Sequence, residues 1–174
     1  MEIIIKKDLI KEALEYAQLS KSFTSDTHDF HEGGLNAKQR KMFEGKLGEK
    51  GIKQFFIANN INFKEDESSH KDADEYDFII LGNSQKYFVD VKTRTQKFHI
   101  RTLEMVKQLK RKKIDIYISV KLSNQKNDYK IWIIGWCTKE DILKINRIEN
   151  NGYLDNYVMY DNELRNINDL KSFF

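Results

Sequence analysis

The chain has 174 residues, of which 40% are hydrophobic and 33% charged, and this length and balance predict one domain over residues 1–174 with a single core. The longest apolar run, Ile131 to Cys137, is too short to span a bilayer, and the first residues do not form a signal peptide. The single cysteine, Cys137, excludes an internal disulfide and fits a reducing compartment, so a cytoplasmic location is expected.

The N-terminal third predicts two helices. Residues 2–5 predict a short strand, and apolar side chains at helical spacing predict a helix from Asp8 to Leu19. A polar loop is expected over residues 20–35, and Asn36 is the expected N-cap of a helix that runs to about Asn59.

Three glycines interrupt the second predicted helix. Gly45, Gly48 and Gly51 each cost about 1 kcal/mol of helix propensity relative to alanine. Their spacing therefore predicts that the helix approaches a sheet or a ligand closely.

Residues 60–75 are polar and acidic, and strands and helices alternate after them. This order predicts an α/β fold with a central mixed β-sheet flanked by α-helices. The predicted elements are strand Asp77–Leu81, a turn at Gly82 and Asn83, strand Lys86–Thr93, a basic helix His99–Lys112, strand Ile114–Val120, a polar turn Ser123–Asp128, strand Lys130–Trp136, a helix from Thr138 to about Ile145, and a tail with a short strand Tyr157–Tyr160 and one helical turn.

The net charge of +3 is unevenly distributed. Residues 64–90 hold three lysines and eight acids, a net of −5, whereas residues 91–130 hold twelve basic residues and three acids, a net of +9. An acidic patch beside a basic segment suits a metal-dependent enzyme that acts on a polyanion. A solvated loop beside a solvated helix face is the alternative.

The hairpin over residues 77–92 carries charge inside an apolar strand. Asp90 and Lys92 share one face of the second strand, whereas Val89 and Val91 share the other, and Asp77 opens the neighbouring strand. A buried carboxylate is costly unless it is paired, and a divalent cation is one such partner. Two carboxylates meeting at one end of the hairpin predict a site for one or two Mg²⁺ ions, with Lys92 near the reacting phosphate.

The spacing by itself is not specific. An acid two residues before a lysine occurs four times in the chain, and Asp115 precedes Asp128 by the same interval that separates Asp77 from Asp90. We prefer the first pair because Asp90 lies within an apolar strand, whereas Asp128 lies in a polar turn.

A helix bearing Glu49, a hairpin bearing Asp77 and then Asp90-Val91-Lys92, and a following helix and strands resemble the PD-(D/E)XK or restriction-endonuclease-like nucleases over about residues 36–136. Tyr76 stands where that family often has proline. The segment Ile-Ile-Gly-Trp-Cys-Thr-Lys-Glu-Asp, with Asn-Tyr-Val and Asn-Glu-Leu-Arg after it, is similar to the ends of phage and bacterial members. Residues 137–174 are expected to pack on the core.

The resemblance implies hydrolysis of DNA phosphodiester bonds with Mg²⁺, which Mn²⁺ is expected to replace. Asp77, Asp90 and the carbonyl of Val91 would hold the metal, and Glu49 would complete the site directly or through water. Lys92 would be the catalytic lysine. Taken alone, Glu49 is better explained as an exposed helix residue, and it is the hairpin that favours the catalytic role.

Residues that follow the catalytic lysine are candidates for contact with the DNA backbone, which positions a duplex without specifying its sequence. A solvated helix face is the alternative for the more distant of them. The candidates are Thr93, Arg94, Thr95, Lys97, Arg101, Lys107, Lys110, Arg111, Lys112 and Lys113.

The sequence therefore predicts a Mg²⁺-dependent endonuclease, either type II restriction-like or used in phage DNA processing or defence. Cleavage of both strands needs two sites, which favours a homodimer. The alternatives are a structure-specific junction, repair or homing nuclease, and a non-catalytic nucleic-acid-binding module with the same fold.

Overall fold

A six-stranded mixed sheet forms the centre of the protein in the computed structural model, which describes residues 1–20, 35–66, 75–96, 98–125, 128–150 and 154–174. The elements in chain order are β1 (Glu2–Ile4), α1 (Lys7–Leu19), α2 (Leu35–Ala58), β2 (Phe63–Glu65), β3 (Phe78–Leu81), β4 (Lys86–Arg94), β5 (Arg101–Met105), α3 (Val106–Arg111), β6 (Ile116–Gln125), β7 (Asp128–Thr138), α4 (Lys139–Ile145), β8 (Ile148–Asn150), β9 (Asp155–Tyr160) and two 3₁₀ segments, Asp161–Glu163 and Ile167–Phe173.

The central sheet has the strand order β1-β7-β6-β4-β3-β2. Its neighbouring strands are antiparallel except for β4 and β6, which run parallel and place Asp90 beside Tyr117. A second, antiparallel sheet of three strands has the order β5-β9-β8. The architecture is thus mixed α/β, as the alternation of elements predicts.

Two apolar clusters cover the opposite faces of the central sheet. Leu47, Ile52 and Phe56 of α2 belong with Val89 and Val91 to the larger cluster, where α1 and α2 lie. The smaller cluster joins β6 and β7 to α3, α4 and β9, and its buried members are Leu109, Ile114, Tyr117, Cys137, Ile142, Tyr157 and Met159. Because Tyr117 lies between Ile116 and Ile118 on β6, alternation along the strand assigns the two clusters to different faces.

Helix α2 approaches the sheet at two of its three glycines. A Cβ atom on Gly48 would overlap the side chain of Thr93, and one on Gly51 would overlap the side chain of Ile131. Gly45 has nothing within 4 Å of that position. The predicted close approach is therefore confirmed at Gly48 and Gly51 but not at Gly45.

The segment after α4 is attached to β7 through the backbone. Trp136 and Arg165 exchange two backbone hydrogen bonds, of 3.1 and 2.8 Å, and a Cβ on Gly135 would meet the carbonyl oxygen of Arg165 at 2.6 Å. The guanidinium of Arg165 also donates two hydrogen bonds, of 2.9 and 2.8 Å, to the carboxylate of Asp141 at the start of α4. Residues 154–174 thus pack on the sheet through β9 and the second 3₁₀ segment.

Most elements lie where the sequence pattern predicts them, including the 2–5 strand, the 8–19 helix and the helix capped by Thr138. The predicted helix His99–Lys112 is wrong, because residues 101–105 form β5 and only Val106–Arg111 is helical. Pairing with a tertiary partner, β9, outweighs local helix propensity there.

Smaller differences concern the ends of elements. Helix α2 already includes residue 35, so Asn36 lies within it rather than capping it. Strands β2 and β8 are additional, and β6 and β7 extend into the predicted turn at Ser123–Asp128. The predicted loop over residues 20–35 lies, except at its ends, outside the described residues, as do residues 126 and 127 of that turn. None of the helices described here combines the length and apolar character needed to cross a membrane.

Candidate active site

The hairpin of β3 and β4 brings Asp77 and Asp90 together. Phe78 stands opposite Val89, and the Asp77 N–H donates to the Val89 carbonyl at 2.8 Å, which sets Asp77 beside Asp90 on the neighbouring strand. The side chain of Asp77 turns towards β4, where its Oδ2 accepts a hydrogen bond from the Val91 N–H at 2.6 Å. The first acid is therefore bound to the Asp90-Val91-Lys92 segment itself.

The competing pair, Asp115 and Asp128, is separated by its own hairpin. Ile116 pairs with Thr138 at one end of β6 and Gln125 pairs with Asp128 at the other. Asp115 and Asp128 thus lie at opposite ends of the hairpin, about 30 Å apart at the usual rise of a strand. This geometry favours the first pair as a site.

Two lysines neutralise Asp90 inside the protein. Asp90 is only 7% exposed, and its Oδ2 lies 2.7 Å from Lys92 Nζ, while its Oδ1 lies 3.8 Å from Lys112 Nζ. Burial acts to raise the pKa of Asp90, but these two ammonium groups outweigh it and leave that pKa below its usual range. Asp90 is therefore a carboxylate at neutral pH.

The pKa of Asp77 is shifted in the direction opposite to that of Asp90. Burial raises its pKa well above the usual range, and the charges of Glu49 and Asp90 raise it further against the opposing effect of Lys46 and the Val91 N–H. Glu49, 8% exposed, extends from α2 and accepts from Lys46 Nζ at 2.7 Å. Glu49, Asp77 and Asp90 therefore interact electrostatically although they come from three elements.

A fourth carboxylate, Glu104, belongs to the same cluster. It lies on β5, is 3% exposed, and places Oε2 at 2.5 Å from Lys92 Nζ. Burial and the charge of Asp90 raise its pKa in spite of Lys92. Sequence reasoning missed Glu104 because it assigned this segment to a basic helix. The local signal for a strand is weak, because Thr102 is the one β-branched residue within β5.

Oxygen donors of this kind suit Mg²⁺, and the mutual repulsion of Glu49, Asp77 and Asp90 is what a cation would relieve. Asp77, Asp90 and Glu49 would be the holding residues, together with the carbonyl of Val91. In the arrangement described, however, no three His, Cys, Asp or Glu side chains among the described residues meet as a ready metal cage. The donor chemistry fits the ion, and the side chains would have to close around it.

A cleft of about 540 Å³ opens between α2, the end of β4 and β5, and it is lined by Val91 and Lys92 but by none of the four acids. Lys92 and Thr93 form one wall, Gly45 and Lys41 form another, and Arg101 lies on β5. The lining therefore includes four cations and one acid, Glu44, and it places Lys92 in contact with the space that a ligand would occupy.

The candidate DNA-binding residues after Lys92 lie in different environments. Thr93 lines the cleft and Thr95 is exposed, whereas Arg94 is buried and donates to the carbonyl of Arg101 at 2.9 Å and to the hydroxyl of Ser119 at 2.9 Å. The guanidinium of Arg94 also pairs with Asp161 at 2.8 Å. Arg94 therefore connects β4, β5 and β6, and its guanidinium is directed into the protein.

The more distant basic residues likewise include some that are paired with acids and others that are exposed to solvent. Arg101 pairs with Glu149 across the second sheet, and Lys112 turns towards Asp90. Lys97 lies outside the described residues. The exposed members, on or just after α3, are Lys107, Lys110, Arg111 and Lys113.

Comparisons with protein-family models, curated proteins and solved structures find no match to this chain.

Proposed function

We propose that the protein is a Mg²⁺-dependent endonuclease that hydrolyses DNA phosphodiester bonds, with a restriction-endonuclease-like core over about residues 36–136. The observation that carries this proposal is the position of Asp77 beside Asp90, with Lys92 on the same strand and Glu49 facing them from α2. Four charged side chains from α2 and the hairpin come together, and one of them, Lys92, lines the cleft. Purely structural packing supplies no reason for this concentration of buried carboxylates, which costs stability.

The contacts of the residues in the proposed site support a specific role for each of them. The Val91 N–H orients Asp77, Lys46 steadies Glu49, and Lys92 presents an ammonium group towards the cleft. Mg²⁺, or Mn²⁺ in its place, would be held by Asp77, Asp90 and Glu49 and would supply a more acidic water and positive charge beside the phosphate. Lys92 Nζ would donate hydrogen bonds to the attacking water or to a phosphate oxygen, which stabilises the negative charge that develops there.

Exposed cations around the cleft support a polyanionic substrate. Lys41 is exposed at the cleft, Arg101 borders it while paired with Glu149, and Lys107, Lys110 and Arg111 project from the short helix that follows β5. We assign contact with the DNA backbone to these residues and to Thr93 and Thr95. A protein bound chiefly through phosphates loses affinity steeply as salt increases.

The proposal includes a homodimer that acts in the cytoplasm. One site cuts one strand, so two copies related by a two-fold axis would cut both strands of a duplex. Sedimentation equilibrium with and without a short duplex tests this part, and a monomer in both conditions would contradict it.

The deciding experiment is cleavage of supercoiled plasmid by the purified chain in Mg²⁺, Mn²⁺ or EDTA. Asp90→Asn is the test variant and Asp128→Asn the matched control, because both acids precede a lysine by two residues and only Asp90 lies at the proposed site. Nicking or linearisation that requires metal, disappears in Asp90→Asn and persists in Asp128→Asn would support the proposal. Discrete fragments would indicate sequence specificity, and preferential cleavage of a four-way junction would indicate the structure-specific alternative.

A non-catalytic nucleic-acid-binding module is the second candidate. It is favoured by the pairing of Asp90 with both Lys92 and Lys112, which balances the charge of the carboxylate without any metal. Salt-dependent DNA binding, with no cleavage of supercoiled, linear, branched or single-stranded DNA in either metal, would support this candidate against the nuclease.

A further inference from the structure

Glu104 reaches the candidate site from a different sheet than the hairpin acids. It lies on β5, whose pairing with β9 sets Glu104 opposite Tyr157. Two further contacts fix β5 against the central sheet: the Thr102 hydroxyl donates to the Ser119 hydroxyl at 2.8 Å, and Arg94 donates to the carbonyl of Arg101 at 2.9 Å. The position of Glu104 is therefore set by the contacts of β5 with β9, with β6 and with Arg94 of β4, rather than by a contact with Asp77.

The ammonium group of Lys92 lies between two carboxylates. Asp90 Oδ2 is 2.7 Å from Lys92 Nζ and Glu104 Oε2 is 2.5 Å from it. Glu104 Oε1 accepts no hydrogen bond from the described residues, although the side chain is almost fully buried. A buried carboxylate with an unsatisfied oxygen is costly, and an apolar residue would pack there at lower cost. Stability alone therefore does not explain an acid at position 104.

We propose that Glu104 is a positioning residue, which holds the ammonium group of Lys92 at the cleft independently of Asp90; this inference rests on the proposed nuclease function. Asp90 has two oxygens and two lysine partners, and any further ligand of Asp90 competes with Lys92 for it. Glu104 keeps Lys92 in place when that competition occurs. Because Glu104 also pairs with Lys92, Asp90 could bind another ligand without changing the orientation of Lys92.

The kinetic test compares Glu104→Gln and Glu104→Asp with Glu65→Gln. Glu65 is the control because it is a half-buried carboxylate held by two lysines of α2, Lys50 and Lys53, and not by Lys92. We expect Glu104→Gln to lower kcat by about 10- to 100-fold, the effect of a misplaced catalytic group, with little change in KM for DNA. Glu104→Asp should restore part of kcat, and Glu65→Gln should keep the wild-type kcat.

Three kinetic or binding outcomes would overturn the inference. These are a wild-type kcat in Glu104→Gln, an effect confined to KM, or a tenfold loss of affinity for Mg²⁺ by calorimetry, which would make Glu104 a ligand instead. Should Glu104→Gln fail to fold, Glu104→Asp decides, since a wild-type kcat in that variant excludes a positional role.

A structural measurement separates this inference from the nuclease proposal. Crystal structures of Asp90→Asn and Glu104→Gln should show Lys92 Nζ still beside position 104 in the first and displaced from it in the second. These expected positions of Lys92 do not depend on whether the wild type cleaves DNA. An inactive wild type would therefore contradict the proposed function alone. If Lys92 Nζ keeps its wild-type position beside Asp90 in the Glu104→Gln structure, the positioning role of Glu104 is overturned.

Discussion

Asp77 Oδ2 accepts a hydrogen bond from the backbone N–H of Val91 at 2.6 Å, so the first acid of the hairpin is held by the residue between Asp90 and Lys92. This bond ties the side chain that opens β3 to the middle of β4. It also brings Asp77 close to Asp90 and Glu49, whose charges oppose its ionisation. This repulsion costs stability, which is the trade-off expected if these residues form the proposed active site.

The first prediction concerns this repulsion. Asp77→Asn keeps an oxygen that can accept from the Val91 N–H but removes the charge, so we expect the free energy of unfolding at neutral pH to rise by about 0.5–2 kcal/mol. Cleavage of DNA should be lost in the same variant. Urea unfolding followed by circular dichroism measures the first effect, with Asp128→Asn expected to match the wild type. A less stable Asp77→Asn would show that the charge is favourable in the folded protein.

The second prediction concerns the lysine between the acids. Lys92→Ala leaves Asp90 and Glu104 buried without their nearest cation, which should cost about 1–3 kcal/mol of stability as well as activity. Lys112→Ala should cost less, because its ammonium group is 3.8 Å from Asp90 and makes no comparable pair with Glu104. Denaturant midpoints of the two variants check this order, and an equal or reversed order would contradict it.

The third prediction uses two glycines of α2 as a matched pair. Gly48→Ala places a methyl group against Thr93 and should destabilise the protein by about 1–3 kcal/mol through overpacking. Gly45→Ala meets nothing within 4 Å and should stabilise the helix by up to about 1 kcal/mol. Thermal unfolding of both variants tests the contrast. A Gly48→Ala variant as stable as Gly45→Ala would mean that α2 and β4 are not closely packed at this point.

The fourth prediction concerns the ion pair between Asp141 at the start of α4 and Arg165 of the C-terminal segment. Burial acts to raise the pKa of Asp141, but its hydrogen bonds from Arg165 and the Thr138 N–H outweigh this and lower that pKa below the usual range. A carboxyl group whose pKa is lower in the folded state stabilises the protein above its unfolded pKa, and this stability is lost as pH falls through the folded value.

Asp141→Asn should therefore be less stable than the wild type at neutral pH, by about 1–2 kcal/mol as for a lost helix cap, and the difference should shrink as the solution becomes acidic. Chemical unfolding measured from pH 7 downwards tests this, and Asp128→Asn should show no such convergence. A difference that stayed constant with pH would exclude ionisation of Asp141 as its source.

The fifth prediction concerns DNA affinity. Replacing Lys107, Lys110 and Arg111 together by alanine should weaken binding to any sequence and reduce the slope of log K against log salt by about 0.9 for each phosphate that these side chains neutralise. Lys86→Ala is the control, because Lys86 is exposed at the opposite end of β4 from Lys92. Fluorescence anisotropy at several salt concentrations measures both slopes, and equal slopes in the triple variant and the wild type would remove α3 from the DNA interface.

The burial of Arg94 shows that local sequence does not specify whether a charged side chain faces solvent or the protein interior. Its place two residues after Lys92 indicates a phosphate contact, whereas its guanidinium lies against Ser119 and Asp161 in the fold. A short-range pattern specifies the face of the strand that carries a side chain. It does not specify which distant segments cover that face.

The sequence by itself determined the hairpin that carries Asp77, Asp90 and Lys92, the helices α1 and α4, and the strands β6 and β7. Their periodicities, turn residues and cap are local, so they can be recognised within about ten neighbouring residues. Only the tertiary structure decided that residues 101–105 form a strand, because the partner that fixes them, β9, lies some fifty residues further along the chain. That pairing is what brings Glu104 to Lys92, and no local pattern contains it.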